Sequence, residues 1–203
     1  AWLTKKLEAL GIEVCGSSET LADGVRMITS QRPHLAVIDN RLPDGRILQT
    51  SRRGTVRLHN PATGTVQTIA DMAGPSVPQT MRIYNNSEDG LYGPGIDRNF
   101  TQNRWVYLYY APQTVTNVKL STGQVVTQTT PNDVVPNFAP SPTAWDPYVG
   151  YFQLSRFKFI EDANGPRLDL SSEQQILRVA NNRQECCHVA GDIEFDKNNT
   201  LWI

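Results

Sequence analysis

Leu42-Pro43-Asp44-Gly45-Arg46-Ile47-Leu48 sets a pattern of aspartate, turn and apolar strand that the chain uses twice more. It returns in Ile96-Asp97-Arg98-Asn99-Phe100 leading to Trp105-Val106-Tyr107, and again in Phe195-Asp196-Lys197-Asn198-Asn199-Thr200-Leu201-Trp202-Ile203. Asp, Asn, Gly and Pro build turns because they bond their own backbone, reach unusual φ values or fix φ in advance. β-Branched and aromatic residues then fit a pleated, half-buried strand. Working outward, Ile47-Leu48, Val56-Arg57-Leu58 and Val66-Gln67-Thr68-Ile69 read as short strands. Arg53-Gly54 and Ala62-Thr63-Gly64 mark the turns between them, which predicts an antiparallel meander. Trp105-Val106-Tyr107-Leu108-Tyr109-Tyr110 is the strongest strand signal. Leu154–Phe159 alternates, and Ile176–Val179, Ile193–Phe195 and Leu201–Ile203 follow, with no long helix expected after residue 45.

The aspartates lie 53 positions apart (44 to 97) and then 99 (97 to 196). The first interval is near the ~40–50 residues of a propeller blade, a four-stranded antiparallel sheet. The second contains residues 111–151, where Pro112, Pro131, Pro136, Pro140, Pro142 and Pro147 predict a long surface loop. On this count the chain is mainly β, with about two blades and the start of a third.

Residues 1–43 have another rhythm. Leu3, Leu7 and Leu10 recur at helical spacing, Leu21, Val25 and Ile28 form a second stripe, and Leu35-Ala36-Val37-Ile38 suits a strand buried on both faces. The expectation is a short α/β segment before the β region.

Composition removes several classes of function. Nineteen Lys+Arg against 20 Asp+Glu, a net charge of −1 over 203 residues, leave no basic footprint for nucleic acid. No apolar run approaches the ~20 residues of a membrane span, and no signal peptide is read at the start. Three cysteines do not make a disulfide scaffold. Cys186-Cys187 is open to two readings, a strained vicinal disulfide or a pair of buried thiols. His34, His59 and His188 show no zinc-ligand spacing.

Several motifs in one order over residues 44–203 resemble the glucose/sorbosone dehydrogenase family, which includes soluble sugar dehydrogenases dependent on pyrroloquinoline quinone (PQQ). They are Leu42–Leu48 with Arg53-Gly54-Thr55-Val56-Arg57-Leu58; Ser87-Glu88-Asp89-Gly90-Leu91-Tyr92-Gly93 with Asn103–Tyr110; Leu154-Ser155-Arg156-Phe157; Leu168–Glu173; and Cys186-Cys187-His188-Val189-Ala190-Gly191. The resemblance implies a six-bladed β-propeller that carries PQQ on Ca²⁺ over its central channel. It implies oxidation of a sugar at C1 by hydride transfer to the quinone, with electrons passed on to an acceptor. It also implies that His188 is the catalytic base and that Glu88 lines the cofactor face. Imidazole suits the first role, since its pKa of ~6.5 lets it take a proton near neutrality. Ala190 stands where the family usually has Gly, Pro94-Gly95 replaces a more apolar pair, and the later blades that supply most cofactor contacts are absent, so this chain is expected to be inactive alone. A noncatalytic carbohydrate- or protein-binding propeller is the alternative.

Gly11–Val14, Ala22-Asp23-Gly24 and Arg32–Gly45 resemble the middle of a response-regulator receiver domain, with Asp39 at the phosphoacceptor position. That resemblance would imply a histidine kinase partner and a carboxylate nucleophile beside Mg²⁺. The first-strand acidic pair is missing. Leu42-Pro43-Asp44-Gly45 fits both families, so either a fusion or assembly joint at that shared sequence or a propeller whose leader only looks receiver-like is expected, the first being favoured. Localisation divides the same way: periplasmic or secreted by the propeller resemblance, cytoplasmic by the receiver one.

Overall fold

The computed structural model describes residues 13–14, 30, 40–132, 141–183, 191–196 and 198–203. The chain divides into two units, Ala1–Ile38 and Asp39–Ile203, and every element below lies in the second. The expected α/β segment falls almost wholly outside the described residues.

The first sheet is an antiparallel meander in chain order: β1 (Asn40–Arg41), β2 (Ile47–Thr50), β3 (Thr55–Asn60) and β4 (Thr65–Asp71). Side-chain alternation sets its register. Leu48, Val56 and Leu58 are buried, whereas Gln49 and Arg57 point to solvent. Leu48 stands opposite Leu58, and Thr50 opposite Val56. The turn into β3 closes on Gly54, whose φ of +108° is disfavoured for a residue with a Cβ.

Next come β5 (Leu91–Ile96), a single helical turn α1 (Phe100–Asn103) and β6 (Trp105–Tyr110). A hairpin follows, β7 (Thr114–Lys119) with β8 (Val125–Thr129), then a 3-10 helix at Pro142–Tyr148. The chain continues through two long strands, β9 (Val149–Asp162) and β10 (Gly165–Asn182). The second sheet has the order β10-β9-β6-β5, again antiparallel throughout. It is a second meander, interrupted between β6 and β9 by residues 111–148. A last hairpin pairs β11 (Glu194–Phe195) with β12 (Leu201–Trp202).

Period two in β6 explains why this strand reads so strongly in sequence. Val106, Leu108 and Tyr110 join Leu48, Val56 and Leu58 in a core between the two sheets. Tyr107 and Tyr109 join Phe152, Leu154 and Ile193 in a second core on the other face. The second sheet is thus covered on both sides, by the first sheet and by the start of the third. Tyr109 stacks on Phe152, and Tyr107 meets Phe195 edge-on, both at 5.0 Å between ring centroids.

The three aspartates of the repeated pattern occupy one position in three sheets. Each lies between the first two described strands of its sheet. Each Oδ1 accepts the N–H two residues on: Arg46 for Asp44 (3.0 Å), Asn99 for Asp97 (2.8 Å) and Asn198 for Asp196 (2.8 Å). These carboxylates shape turns.

One expectation needs correcting. Residues 111–151 are not one long loop, because they contain the β7–β8 hairpin. Val115, Val118 and Tyr151 form a small core of its own there. The prolines flank the hairpin rather than interrupt it. β5 is a strand despite Gly93-Pro94-Gly95. It lies at the sheet edge, where a missing N–H costs no ladder bond, and it bulges between Tyr92 and Gly95.

Candidate functional site

Antiparallel order sends the connections to two ends of the sheets. The turns 42–46, 61–64, 97–104, 163–164 and 196–200 gather at one. The described segments 51–54, 72–90, 111–132, 141–148 and 191–193 gather at the other, and the second of these carries Glu88.

Glu88 sits in the segment from β4 to β5, and its side chain is exposed. The backbone around it is held from several directions. The Arg52 guanidinium donates to the carbonyls of Ser87 and Asp89, the latter at 3.0 Å. The Leu91 N–H donates to the Arg52 carbonyl (2.9 Å), and the Tyr92 hydroxyl donates to the Glu88 carbonyl. Burial pushes the Tyr92 phenol up, so it stays a protonated donor.

The glycines of the Ser87–Gly93 motif and Gly95 are explained by close approach. A Cβ on Gly90 would stand 2.4 Å from the Arg52 carbonyl oxygen. A Cβ on Gly93 or Gly95 would stand 2.9 Å or 2.4 Å from the Ile193 side chain. The motif is therefore a packing joint between three sheets, and Glu88 projects beside it.

Asp39, His188 and the Cys186-Cys187 pair lie outside the described residues. The two flanks of the segment 184–190 are described, and both touch the Glu88 motif. Before it, Arg183 donates from Nη1 to Asp89 Oδ1 at 3.0 Å. After it, Ile193 packs on Gly93 and Gly95, while Gly191 lies against the Tyr109 ring.

Sequence reasoning missed the Arg183–Asp89 pair. Both groups are buried, at 0% and 2% exposure. Charged residues in Ser-Glu-Asp-Gly and Asn-Asn-Arg read as solvated turns, and no local pattern marks them otherwise. A second polar cluster was also missed. The Glu173 carboxylate, carried into the sheet by a bulge of β10, accepts from Tyr110 Oη (2.5 Å), Ser155 Oγ (2.7 Å) and Gln153 Nε2 (2.8 Å). Burial raises the Tyr110 phenol well above its ordinary pKa, and the Glu173 charge adds to that.

Among the described residues no group of three His, Cys, Asp or Glu side chains could hold a metal ion. A cleft of about 430 Å³ lined by Tyr107, Arg156, Gln174, Phe195 and Leu201 does not include Glu88.

The glucose / sorbosone dehydrogenase family matches residues 34–203. The chain belongs to that family. The family match takes in Asp39 and the stretch Leu35–Ile38 assigned above to a receiver-like segment. No curated protein matches the chain. Among solved structures, it is similar to a putative oxidoreductase (glucose dehydrogenase) from Thermus thermophilus. That similarity has 21% identity and a TM-score of 0.47, over 79% of this chain and 33% of that one. A second similar structure, a glucose dehydrogenase, shows 20% identity and a TM-score of 0.46, over 80% and 37%. The chain spans about a third of the length of these structures.

Proposed function

We propose that this chain is part of a PQQ-dependent sugar dehydrogenase built on a β-propeller, with residues 40–203 supplying two blades and the beginning of a third. The observation that carries the reading is family membership over residues 34–203. Two further features support it: successive four-stranded antiparallel meanders, and the meeting of the Glu88 motif with both flanks of the His188 segment.

The overall reaction takes two electrons and one hydrogen from the sugar C1 carbon as hydride, while the C1 hydroxyl loses a proton. PQQ, when bound, supplies the quinone carbon that accepts the hydride. His188 would take the hydroxyl proton, the role its imidazole suits near neutral pH. Glu88 would line the cofactor face. Arg52 and Arg53, both exposed on the adjoining turn, offer cationic groups at this end to a ligand that carries carboxylates. Calcium is a different case. It needs six to eight oxygen ligands, and the described residues contain no such cluster.

Sugar-dependent dye reduction by the full-length protein with added PQQ and Ca²⁺ tests the reading. Reduction that is lost in His188→Ala is expected. Absence of both reduction and any PQQ-induced absorbance change would remove the dehydrogenase and leave the carbohydrate- or protein-binding propeller. The phosphoacceptor role of Asp39 is tested by labelling with acetyl phosphate and Mg²⁺. No label is expected, because Asp39 falls inside the dehydrogenase family match.

A further inference from the structure

Arg183 has no part in the chemistry above, yet it is fully buried and is among the largest such side chains of the described residues. Its guanidinium joins three separate points of the chain at the Glu88 end. Nη1 donates to Asp89 Oδ1 (3.0 Å), in the segment between β4 and β5. Nη2 donates to the Pro112 carbonyl (3.3 Å) where the insertion begins, and to the Tyr151 carbonyl near the start of β9. The Arg183 N–H donates to the Tyr148 carbonyl at 2.7 Å. The group lies over the rings of Tyr84 and Phe152, 5.6 and 5.3 Å from their centroids. The fold leaves room for it. A Cβ on Gly150 would stand 2.8 Å from Nε, and Nε itself is buried without a hydrogen-bond partner.

A pair this deep is a poor source of stability. Desolvating two charges costs about as much as their attraction returns, and an apolar replacement of both is often neutral or better. What an apolar pair would not reproduce is direction. A planar guanidinium fixes the angle and separation of every acceptor it serves. Its acceptors here include the residue next to Glu88.

We infer that Arg183 is a positioning residue that, through Asp89, sets the Glu88 backbone in the geometry that receives the anionic cofactor. The cofactor half of this inference rests on the dehydrogenase reading, whereas the positioning half does not. Arg183 touches no reacting atom and acts through the 87–91 backbone.

The test uses the full-length protein and three variants: Arg183→Lys, Arg183→Met and the double variant Asp89→Val/Arg183→Met. Thermal unfolding, PQQ affinity from quenching of tryptophan fluorescence, and amide hydrogen exchange of the peptide 84–91 are measured on each. The double variant removes both charges together, so it is expected to melt close to the wild type. It should nonetheless bind PQQ at least tenfold more weakly and exchange 84–91 faster, with β6 amides unchanged. Arg183→Lys keeps the charge without the fork and should fall between. A double variant with wild-type affinity and wild-type protection of 84–91 overturns the inference. If the wild type binds no PQQ, the cofactor reading fails on its own, and exchange in the double variant still decides the positioning role. If the double variant does not fold, Arg183→Lys decides by the same two measurements.

Discussion

The two ends of the paired sheets hold their arginine–carboxylate pairs in opposite ways. At the turn end, Arg46 donates to Asp44 and to Glu161, which tie the β1–β2 turn to the end of β9 (2.7 Å each). Arg104 adds a longer contact to Glu161 (3.4 Å) and lies over the Phe100 and Phe159 rings. Both carboxylates there remain well exposed, at 46% and 39%. At the Glu88 end, Arg183 and Asp89 have no contact with solvent to speak of. Solvated charges can rearrange and be screened at little cost. Charges sealed in the interior cannot, so the second end is fixed where the first is merely tethered. The end with fixed geometry is the one where the family motifs converge.

The largest effect should come from breaking the sealed pair on one side. Arg183→Met removes the guanidinium paired with the buried Asp89 carboxylate, and breaking a buried ion pair from one side costs about 3–5 kcal/mol. Urea denaturation should show a loss of unfolding free energy of that size. A loss within error of zero would mean that water reaches Asp89 and that the two ends do not differ.

Next is Gly90→Ala. The new methyl would stand 2.4 Å from the Arg52 carbonyl oxygen, a backbone atom that cannot swing aside. Forced overpacking of this kind costs about 1–3 kcal/mol. It should also weaken PQQ binding, because the shift falls two residues from Glu88. Gly64→Ala provides the control: no atom lies within 4 Å of its Cβ, so only the penalty of its φ of +72° remains.

These two sites also show where sequence stops informing. The strand at 105–110 was legible because burial on both faces demands an unbroken run of large residues, and the chain supplies one. The repeated aspartates were legible because an Asx turn is a local device, complete within three residues. β5 was not, since Gly93 and Gly95 answer to Ile193, about a hundred positions away. The hairpin at 114–129 was hidden by the prolines around it. Leu42-Pro43-Asp44-Gly45 fitted two families because it encodes a turn and little else, and the family match starts upstream of it at residue 34. Of the candidate residues, Glu88 was singled out through its motif. Arg183 and Asp89 were not, because a charged residue reads as exposed until its partner is seen in space.

Between the two ends, Tyr110→Phe probes the polar cluster inside the second sheet. The phenol donates to Glu173 and accepts from Gln153 Nε2 at 2.8 Å. Its removal should cost about 1–3 kcal/mol, since it leaves a buried donor and a carboxylate short of a partner. The paired variant Tyr110→Phe/Glu173→Leu should lose less than the sum of the two single changes if the cluster acts as one unit.

The smallest effect belongs to the turn end, and pH reads it. The Arg46 guanidinium, hydrogen-bonded to both, holds the Asp44 and Glu161 carboxyls below their ordinary values. A carboxyl with a depressed folded-state pKa binds protons more weakly when folded. It therefore adds stability above its unfolded pKa, near ~4 for these groups, and loses it as pH falls through the folded value. Wild-type stability should be flat from neutrality to about pH 5 in this respect and should decline below about pH 4. Glu161→Gln should remove part of that decline while costing no more than about 1 kcal/mol at pH 7, the range of exposed ion pairs. Added salt of 1 M should shrink the difference further, because the Debye length then falls to ~3 Å. The Arg183→Met loss should survive the same salt almost unchanged. A salt response equal at both ends would show that Arg183 and Asp89 are solvated after all, and the contrast between a tethered end and a fixed one would collapse.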